Sequence, residues 1–336
     1  MIGSWHCLPE SELSSAALAE YAEDGFTDFQ TLDRSADRWR PYSAAGNRRA
    51  LDLCAAVGLR CFVVDGRIYR GERPYRPEAA PGQADVDAVV ADYGRHPALA
   101  GFLLYDEPSP HAFAALAATI GRLRERAGDA ISLVPMFPMH ADPRFPNAFE
   151  GRDYEAYLRE FVATCRPAVL AYDYYPFFDP PARMPQYLAN FGIAARVAAE
   201  AGLPLWYYPA IVAGPPAHLA PTPGRIRLQV NLALAHGASG LLHFTYRAEE
   251  RAPRDVVRPV NREAAALLGA IGGRWPSLVD HAAGPEATVA LFEGPRQALV
   301  VNRDPERDRT VAVALGGRRL EVELAPGGAA LVAVPA

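Results

Sequence analysis

Short apolar runs alternate with amphipathic or alanine-rich stretches along most of this chain. Continuous apolar runs are typical of strands buried on both faces, and the longer stretches between them are typical of helices. The apolar runs predict strands at residues 2–7, 26–32, 59–65, 99–105, 131–137, 168–174, 205–211 and 240–244. The intervening stretches predict helices at residues 12–23, 44–57, 85–93, 111–126, 154–165, 184–201, 226–236 and 262–271.

Eight strand–helix units are the number found in a (β/α)8 barrel, or TIM barrel, whose strands are all parallel. Glycine stands at helix-to-strand joints, where a helix end needs left-handed backbone, at positions Gly25, Gly58, Gly202 and Gly237. A doubly wound open sheet is the alternative, but no Gly-x-Gly-x-x-Gly motif follows the first strand. We therefore predict an α/β fold with a barrel domain at residues 1–276.

The pattern changes after Trp275, where short β-prone runs alternate with turns between residues 286 and 334. Gly316 and Gly317 separate two of these runs, which is a signal for a two-residue hairpin turn. This part of the sequence predicts a small antiparallel, β-sandwich-like domain at residues 285–336. Because it concentrates no unusual polar residues, we expect it to pack against the barrel.

Composition and charge limit the possible partners. The chain has 34 Lys and Arg residues against 39 Asp and Glu residues, and this net charge of −5 argues against nucleic acid. No stretch approaches ~18 uninterrupted apolar residues, so we expect no membrane span. The four cysteines lack metal-ligand spacing, which predicts free thiols and neither a metal nor a cofactor. The sequence opens without a signal-peptide pattern, so the expected location is cytoplasmic, or secreted after removal of a leader.

Two adjacent carboxylates, Asp106 and Glu107, follow the fourth predicted strand directly. Pro108 ends that strand, since proline donates no ladder hydrogen bond. The carboxyl ends of barrel strands are where TIM barrels place their chemistry, and a charge beside a core must be paired or solvated. The alternative is a helix N-terminal cap, formed by the acids or by Ser109. Glu107 is the leading catalytic candidate, with Asp106 as its neighbour.

Aromatic and polar side chains also stand near the ends of the other predicted strands. Aromatic faces beside acids and amides suit a sugar, whose ring has an apolar face and whose hydroxyls need polar partners. Cleavage of a glycosidic bond uses paired carboxyl groups, and Asp173 at the end of the sixth strand is a further catalytic candidate. The candidate contacts with a carbohydrate substrate are Trp5, His6, Gln30, Asp65, Tyr105, Tyr172, Tyr175, Trp206, Tyr208, His243 and Tyr246.

Three stretches together resemble the TIM-barrel glycoside hydrolases whose fourth strand ends in an Asp-Glu pair. They are His96-Pro97-Ala98-Leu99 leading into Tyr105-Asp106-Glu107-Pro108, then Ala171-Tyr172-Asp173-Tyr174-Tyr175-Pro176, and the segment from Gln229 to Ala238. The resemblance covers residues 2–275 and implies that Glu107 is the general acid/base of a glycosidase. The large retaining clan of these barrels also places a nucleophilic Glu at the end of the seventh strand. Here residues 206–214 contain no carboxylate.

Three mechanisms therefore stay open. In the first, which resembles that of certain N-acetylhexosaminidases, the acetamido oxygen of the substrate attacks, Asp106 orients that group and Tyr175 bonds it. In the second, inversion, Asp173, Asp33 or Asp65 activates water at roughly 6.5–9.5 Å from Glu107. In the third, retention, Asp173 is a relocated nucleophile. We favour Asp106 and Glu107 acting together, because adjacent carboxylates disfavour double ionisation.

Two functions from other classes compete with hydrolysis of a glycosidic bond. A metal-dependent barrel hydrolase or isomerase would use imidazoles and carboxylates near strand ends, namely His6, Asp65, Glu107, His140, Asp173 and His243. No His-x-His spacing supports that reading. A sugar-binding barrel that has lost hydrolysis is consistent with the missing acid on the seventh strand. Outside the rim, we expect Gln229 to tie down a neighbouring loop and residues 247–258 to form a solvated surface.

Overall fold

The structure is a computed structural model that describes residues 1–5, 8–35, 38–71, 80–140, 148–177, 184–212, 220–246, 254–281, 286–294 and 296–335, without the side chains of Ser35 and Arg38. All statements below concern these residues. The strands of the first 250 residues are β1 (Ile2–Ser4), β2 (Asp28–Gln30), β3 (Leu32–Ser35), β4 (Arg38–Pro41), β5 (Arg60–Val63), β6 (Leu99–Leu103), β7 (Ile131–Leu133), β8 (Pro135–Met136), β9 (Leu170–Asp173), β10 (Leu205–Tyr208) and β11 (Ala238–His243).

Nine of these strands form one parallel sheet in the order β7-β6-β5-β2-β1-β11-β10-β9-β8. The two end strands, β7 and β8, are separated only by Val134. They are therefore two pieces of one barrel strand, which pairs with β6 through its first piece and with β9 through its second. The sheet closes on itself, and the predicted TIM barrel is confirmed.

A helix follows each barrel strand in the described part of the chain. The helices are α1 (Ser15–Glu23), α2 (Ala44–Val57), α3 (Gln83–Tyr93), α4 (Phe113–Ala127), α5 (Tyr154–Cys165), α6 (Met184–Glu200), α7 (Pro223–Ala235) and α8 (Arg254–Ile271). Helix α2 begins after Ser43, whose hydroxyl accepts from the Gly46 amide, and ends at the left-handed Gly58. Helix α8 begins at Arg254, eight residues before the predicted start at residue 262.

Side chains of the barrel strands alternate between two apolar layers. One layer fills the barrel and includes Phe62, Leu103, Ala171 and Leu242. The other lies between the strands and the surrounding helices. Successive strand residues point to opposite faces of the sheet. A residue at the rim therefore points into the barrel only if it lies an even number of positions from an inward-facing residue of the same strand, a relation that we call having the same parity. This parity decides which candidates enter the site.

Strands β3 and β4 form an antiparallel hairpin between β2 and α2, which the sequence analysis did not predict. Its register pairs Leu32 with Pro41 and Arg34 with Trp39. Neither strand is continuously apolar, and the turn lacks a glycine, so neither strand nor turn signals mark it. The hairpin extends the loop that follows the second barrel strand.

The C-terminal part is antiparallel, as predicted. Its strands are β12 (Leu278–Asp280), β13 (Ala287–Phe292), β14 (Gln297–Asn302), β15 (Arg309–Leu315), β16 (Arg318–Leu324) and β17 (Ala329–Ala333). Strands β12, β13, β14 and β17 form one sheet, and β15 pairs with β16. Leu299 and Phe292 belong to the same buried cluster as the helix layer, and the amide of Asn231 on α7 donates to the Gly327 carbonyl at 2.9 Å. The expected packing against the barrel is confirmed.

Two expectations outside the rim have different outcomes. Gln229 is buried on α7 and exchanges hydrogen bonds with the backbone of Ala210 at 2.9 and 3.2 Å, so it ties down the loop after β10 as predicted. The predicted solvated surface at residues 247–258 holds only in part for the described residues 254–258, where Asp255 is exposed. Arg254 and Arg258 pair with the fully buried carboxylate of Asp24 at the end of α1. No described helix is long and apolar enough to cross a membrane.

Candidate active site

The Asp106–Glu107 pair lies just beyond the end of β6. The strand ladder ends near Leu104, whose amide donates to the Leu133 carbonyl. Glu107 has a left-handed backbone (φ 50°), and its amide donates to the Pro135 carbonyl on β8 at 3.0 Å. Left-handed backbone at a residue other than glycine is uncommon and is held in place by its surroundings. Here it interrupts the strand alternation, so Asp106 and Glu107 no longer have to point to opposite faces.

The two residues at the N-cap positions after this pair form no helix cap. The 3-10 turn Pro110–Ala112 and helix α4 both begin without a side-chain cap, among the residues described. Ser109 stands at the cap position of the turn but makes no capping hydrogen bond. The structure therefore gives no support to Ser109 as a cap.

Glu107 and Asp173 form a hydrogen-bonded pair of carboxyl groups. Asp173 is the last residue of β9, two positions from β6 around the barrel, and its side chain bonds with Glu107 and with Tyr175. Burial raises the pKa of Asp173 to about 6, although these two hydrogen bonds act in the opposite direction. A hydrogen bond between two carboxyl groups requires a proton on one of them. The pair therefore holds a proton at mildly acidic pH.

Asp106 belongs to the same cluster. Burial raises the pKa of the Tyr175 phenol well above its usual range, and the negative charges of Asp173, Glu107 and Asp106 raise it further. Burial likewise raises the pKa of Tyr208 on β10, with the charges of Asp106 and Asp173 adding to the effect. The structure thus gathers three carboxyl groups and two tyrosines from the ends of β6, β9 and β10.

An aromatic wall adjoins this acid cluster through Tyr175 and Tyr208; we use the name for Trp5, Trp39, Tyr175, Tyr208 and Phe244. Trp5 contacts Tyr208 and Trp39 edge to face, with ring centroids 6.0 and 6.1 Å apart. Phe244 stacks on Tyr175 at 5.1 Å and contacts Trp39 at 6.3 Å. The amide of Gln30 donates to the backbone carbonyl of Trp5.

Of the predicted contacts, Tyr175 and Tyr208 lie with the acids, Trp5 packs on Tyr208, and Gln30 bonds Trp5. Sequence reasoning missed Trp39 and Phe244 as members of the wall. Phe244 has the parity of Leu242 in the barrel interior, and this signal could have found it. Trp39 lies on the hairpin that the sequence did not predict.

Four predicted contacts lie on the outer side of the barrel, which corrects their placement at the rim. Tyr172 packs on Phe191 and Tyr207 in the helix layer. The His243 ring bonds Asn261 on α8 at 2.7 Å, and the Tyr246 hydroxyl donates to Asp24 at 2.6 Å. Tyr105 also belongs to the helix layer. Tyr172 and His243 occupy strand positions that face outward. Tyr105 and Tyr246 follow strand ends and lie on the outer side.

Trp206 and Asp65, two further predicted substrate contacts, are engaged by structural partners. Trp206 lies on the inner face of β10, two residues before Tyr208, and packs on Phe62 within the barrel core. Arg67 binds both carboxylate oxygens of Asp65 at 2.8 and 2.9 Å. Burial acts to raise the pKa of Asp65, but hydrogen bonds from Arg67 and Tyr93 lower it overall.

Asp33 also has partners away from the acid cluster. Its carboxylate accepts from the backbone amides of Glu10 and Arg34 at 3.1 and 2.6 Å. Asp33 and Asp65 are therefore both held by other groups.

The metal-site alternative gains no support from the described side chains. Within the ranges given above, no group of three or more His, Cys, Asp or Glu side chains is placed to hold a metal ion. Asp65 binds Arg67, and His243 binds Asn261. His6 lies outside the described residues, as does Cys7.

The barrel is similar to solved structures of glycoside hydrolases. A glycoside hydrolase family 5 protein from Bacteroides vulgatus has a TM-score of 0.61 at 10% identity, covering 100% of this chain and 85% of that one. A β-galactosidase from the psychrophilic Marinomonas ef1 has a TM-score of 0.56 at 12% identity, covering 81% of this chain. A GH5_18 protein from Streptomyces cattleya, solved in complex with GlcNAc, has a TM-score of 0.51 at 13% identity, covering 80% and 79%.

This chain spans 60% of the length of that β-galactosidase. No protein-family model matches the sequence, and no curated protein matches it. At identities this low, the structural similarity establishes a shared fold alone. This is the fold implied by the resemblance noted in the sequence. One fold can host many activities, so the shared fold does not assign an activity to this chain.

Proposed function

We propose that this protein is a glycoside hydrolase in which Glu107 is the general acid/base. The observation that carries the proposal is the hydrogen-bonded Glu107–Asp173 pair at the carboxyl ends of two barrel strands, beside an aromatic wall. Asp173 keeps a proton up to a pH of about 6, and a proton shared between Asp173 and Glu107 can pass to a leaving oxygen under mild conditions. The partly exposed side chains of Asp106 and Glu107 are open to a substrate.

Asp173 acts on Glu107 in this proposal and does not attack the sugar. Carboxyl groups that work on opposite faces of a sugar stand roughly 5–5.5 Å apart in retaining enzymes and 6.5–9.5 Å apart in inverting ones. Two groups in direct hydrogen-bond contact leave no room for an anomeric carbon between them. Asp173 is therefore a positioning residue that holds the proton of Glu107 in the site.

Asp106 is then the carboxylate that serves the anomeric centre. Strand β10 and the residues after it read Leu205-Trp206-Tyr207-Tyr208-Pro209-Ala210-Ile211-Val212, so the seventh barrel strand supplies no acid. A substrate with a 2-acetamido group brings its own nucleophile. Asp106 would accept a hydrogen bond from the acetamido N–H and stabilise the positive charge that develops there.

The reaction then proceeds in two balanced steps. The acetamido oxygen bonds to the anomeric carbon while the glycosidic bond breaks, and Glu107 gives its proton to the leaving oxygen. The Glu107 carboxylate next takes a proton from water, and the water oxygen bonds to the anomeric carbon. The bond between that carbon and the acetamido oxygen breaks at the same time, which restores the acetamido group. The substrate class proposed is thus a carbohydrate with a 2-acetamido sugar at the cleaved bond.

Paired aryl glycosides that differ only in a 2-acetamido or a 2-hydroxyl group test this function. We expect turnover of the acetamido members, and we expect Asp106→Asn to reduce kcat by about 10²-fold, in the range of one general catalytic group. Asp129→Asn is the matched control and should retain activity, because Asp129 is exposed between α4 and β7, at the opposite end of the barrel from the acid cluster. Equal turnover of both members would overturn the acetamido mechanism. Sugar binding without any turnover would favour the binding-only barrel.

The pH dependence should report the shared proton. Because burial raises the pKa of Asp173 to about 6, the pair keeps its proton below that pH and loses it above. We expect kcat/KM to fall as the pH rises through about 6. Asp173→Asn removes a negative charge next to Glu107, which lowers the pKa of Glu107. The fall in kcat/KM, which is the upper limb of the pH profile, should therefore move to lower pH. An unchanged limb in the Asp173→Asn variant would contradict the role given to the pair.

A further inference from the structure

Trp39 lies at the outer end of the aromatic wall, on the inserted β3–β4 hairpin. Its indole contacts Trp5 at 6.1 Å and Phe244 at 6.3 Å between ring centroids. Phe244 in turn stacks on Tyr175, the tyrosine that bonds Asp173. Ring contacts therefore run without interruption from the hairpin to the acid cluster.

Exposure separates Trp39 from the inner part of the wall. Trp5 is 3% exposed and Tyr208 is 1% exposed, so neither ring offers a surface to a ligand. Trp39 keeps part of its surface exposed, as do Phe244 and Tyr175. Trp39 is the largest of these three rings and the one with the most apolar area to offer.

The hairpin that carries Trp39 is held firmly. Asp33 accepts from the Glu10 amide at 3.1 Å, and the Tyr42 hydroxyl at the end of the hairpin donates to the Leu8 carbonyl. Within the hairpin, Arg34 stands opposite Trp39 in register and holds its guanidinium 5.4 Å from the ring centroid. This cation–π contact fixes the orientation of the indole. A ring held on a fixed element loses little freedom when a ligand binds to it.

We propose that Trp39 is a substrate-binding residue that packs against the apolar face of a pyranose ring, so that the inserted hairpin contributes to substrate selection. This inference rests on the proposed hydrolase function. Because the printed ring contacts place other aromatic rings between Trp39 and the acid cluster, Trp39 should contribute to binding and leave the chemical step unchanged. Its removal should therefore act on KM.

Steady-state kinetics on the best aryl glycoside, together with binding of free N-acetylglucosamine measured by calorimetry, test the inference. We expect Trp39→Ala to raise KM and the dissociation constant about tenfold, in the range of one lost aromatic contact, with kcat within about threefold. Trp39→Phe should recover most of the binding. Arg40→Ala, at an exposed position next to Trp39, is the control and should match the wild type.

Each outcome has one reading. Unchanged KM and sugar affinity in a folded Trp39→Ala protein overturn the inference while the hydrolase function stands. A wild type that hydrolyses none of the glycosides overturns the hydrolase function, and the calorimetric titration then decides the role of Trp39 alone. If Trp39→Ala fails to fold, Trp39→Leu, which keeps apolar volume but has no aromatic ring, takes its place. An unchanged KM in that variant, or a tenfold loss confined to kcat, contradicts the inference.

Discussion

Replacing Glu107 with glutamine should reduce kcat on glycosides with poor leaving groups by about 10²- to 10⁴-fold, the usual contribution of one general acid/base. Glutamine keeps the size of the side chain but carries no transferable proton. It can still hydrogen-bond Asp173, so the fold and the left-handed backbone at this position should be retained. Steady-state kinetics measure the loss of kcat. A denaturant unfolding curve for the same preparation measures whether the fold is retained.

Glu150→Gln is the matched control for this substitution. Glu150 is also a glutamate with left-handed backbone (φ 49°), but it bonds His111 and Arg152 away from the acid cluster. We expect this variant to keep wild-type kcat. If Glu107→Gln loses no more activity than Glu150→Gln, Glu107 is not the acid.

Replacing Asp24 with alanine should lower the free energy of unfolding by about 3–5 kcal/mol, the usual result of removing one partner of a buried ion pair. The Asp24 carboxylate is fully buried and accepts from Tyr246 at 2.6 Å, from Arg254 at 2.8 Å and from Arg258 at 3.1 Å. These bonds join the end of α1 to α8 and to the segment after β11. Alanine would leave two guanidinium groups and a phenol without their shared acceptor.

The neighbouring residue supplies the control for Asp24. Glu23 also pairs with Arg254 and Arg258, at 3.7 and 3.5 Å, but its side chain is 68% exposed. Solvent screens such a pair, so Glu23→Ala should cost less than about 1 kcal/mol. Equilibrium denaturation of both variants decides the matter. A cost below about 1 kcal/mol for Asp24→Ala would show that the buried carboxylate does not hold α8 in place.

Most of the barrel could be predicted because its elements are marked at both ends. Helix α2 was predicted with its observed bounds, Ala44–Val57, between the Ser43 cap and Gly58, and helix α5 likewise at Tyr154–Cys165 after the Asp153 cap. The barrel strands before β11 were predicted too long, because their apolar runs continue beyond the ladder hydrogen bonds, whereas β11 begins two residues before its predicted start. Phe26 and Leu32, for example, lie beyond β2.

The site was harder to predict. The sequence shows that side chains alternate between the two faces of a strand, but it does not show which face lines the barrel interior. Asp106, Glu107, Asp173 and Tyr175 were selected from strand ends and do meet in the structure. Tyr172 was selected in the same way and points outward, one position out of phase. The same limit hid Phe244, whose inner position depends on the register of β11 with its neighbours.

The most direct test of Glu107 as proton donor is the dependence of kcat/KM on the leaving group. A series of aryl 2-acetamido glycosides with phenols of increasing pKa is hydrolysed by the wild type and by Glu107→Gln. A poor leaving group needs the proton and a good one does not. We expect the loss in Glu107→Gln to be small for the most acidic phenols and to grow steadily towards the least acidic. A constant ratio of the two rates across the series would contradict proton donation by Glu107.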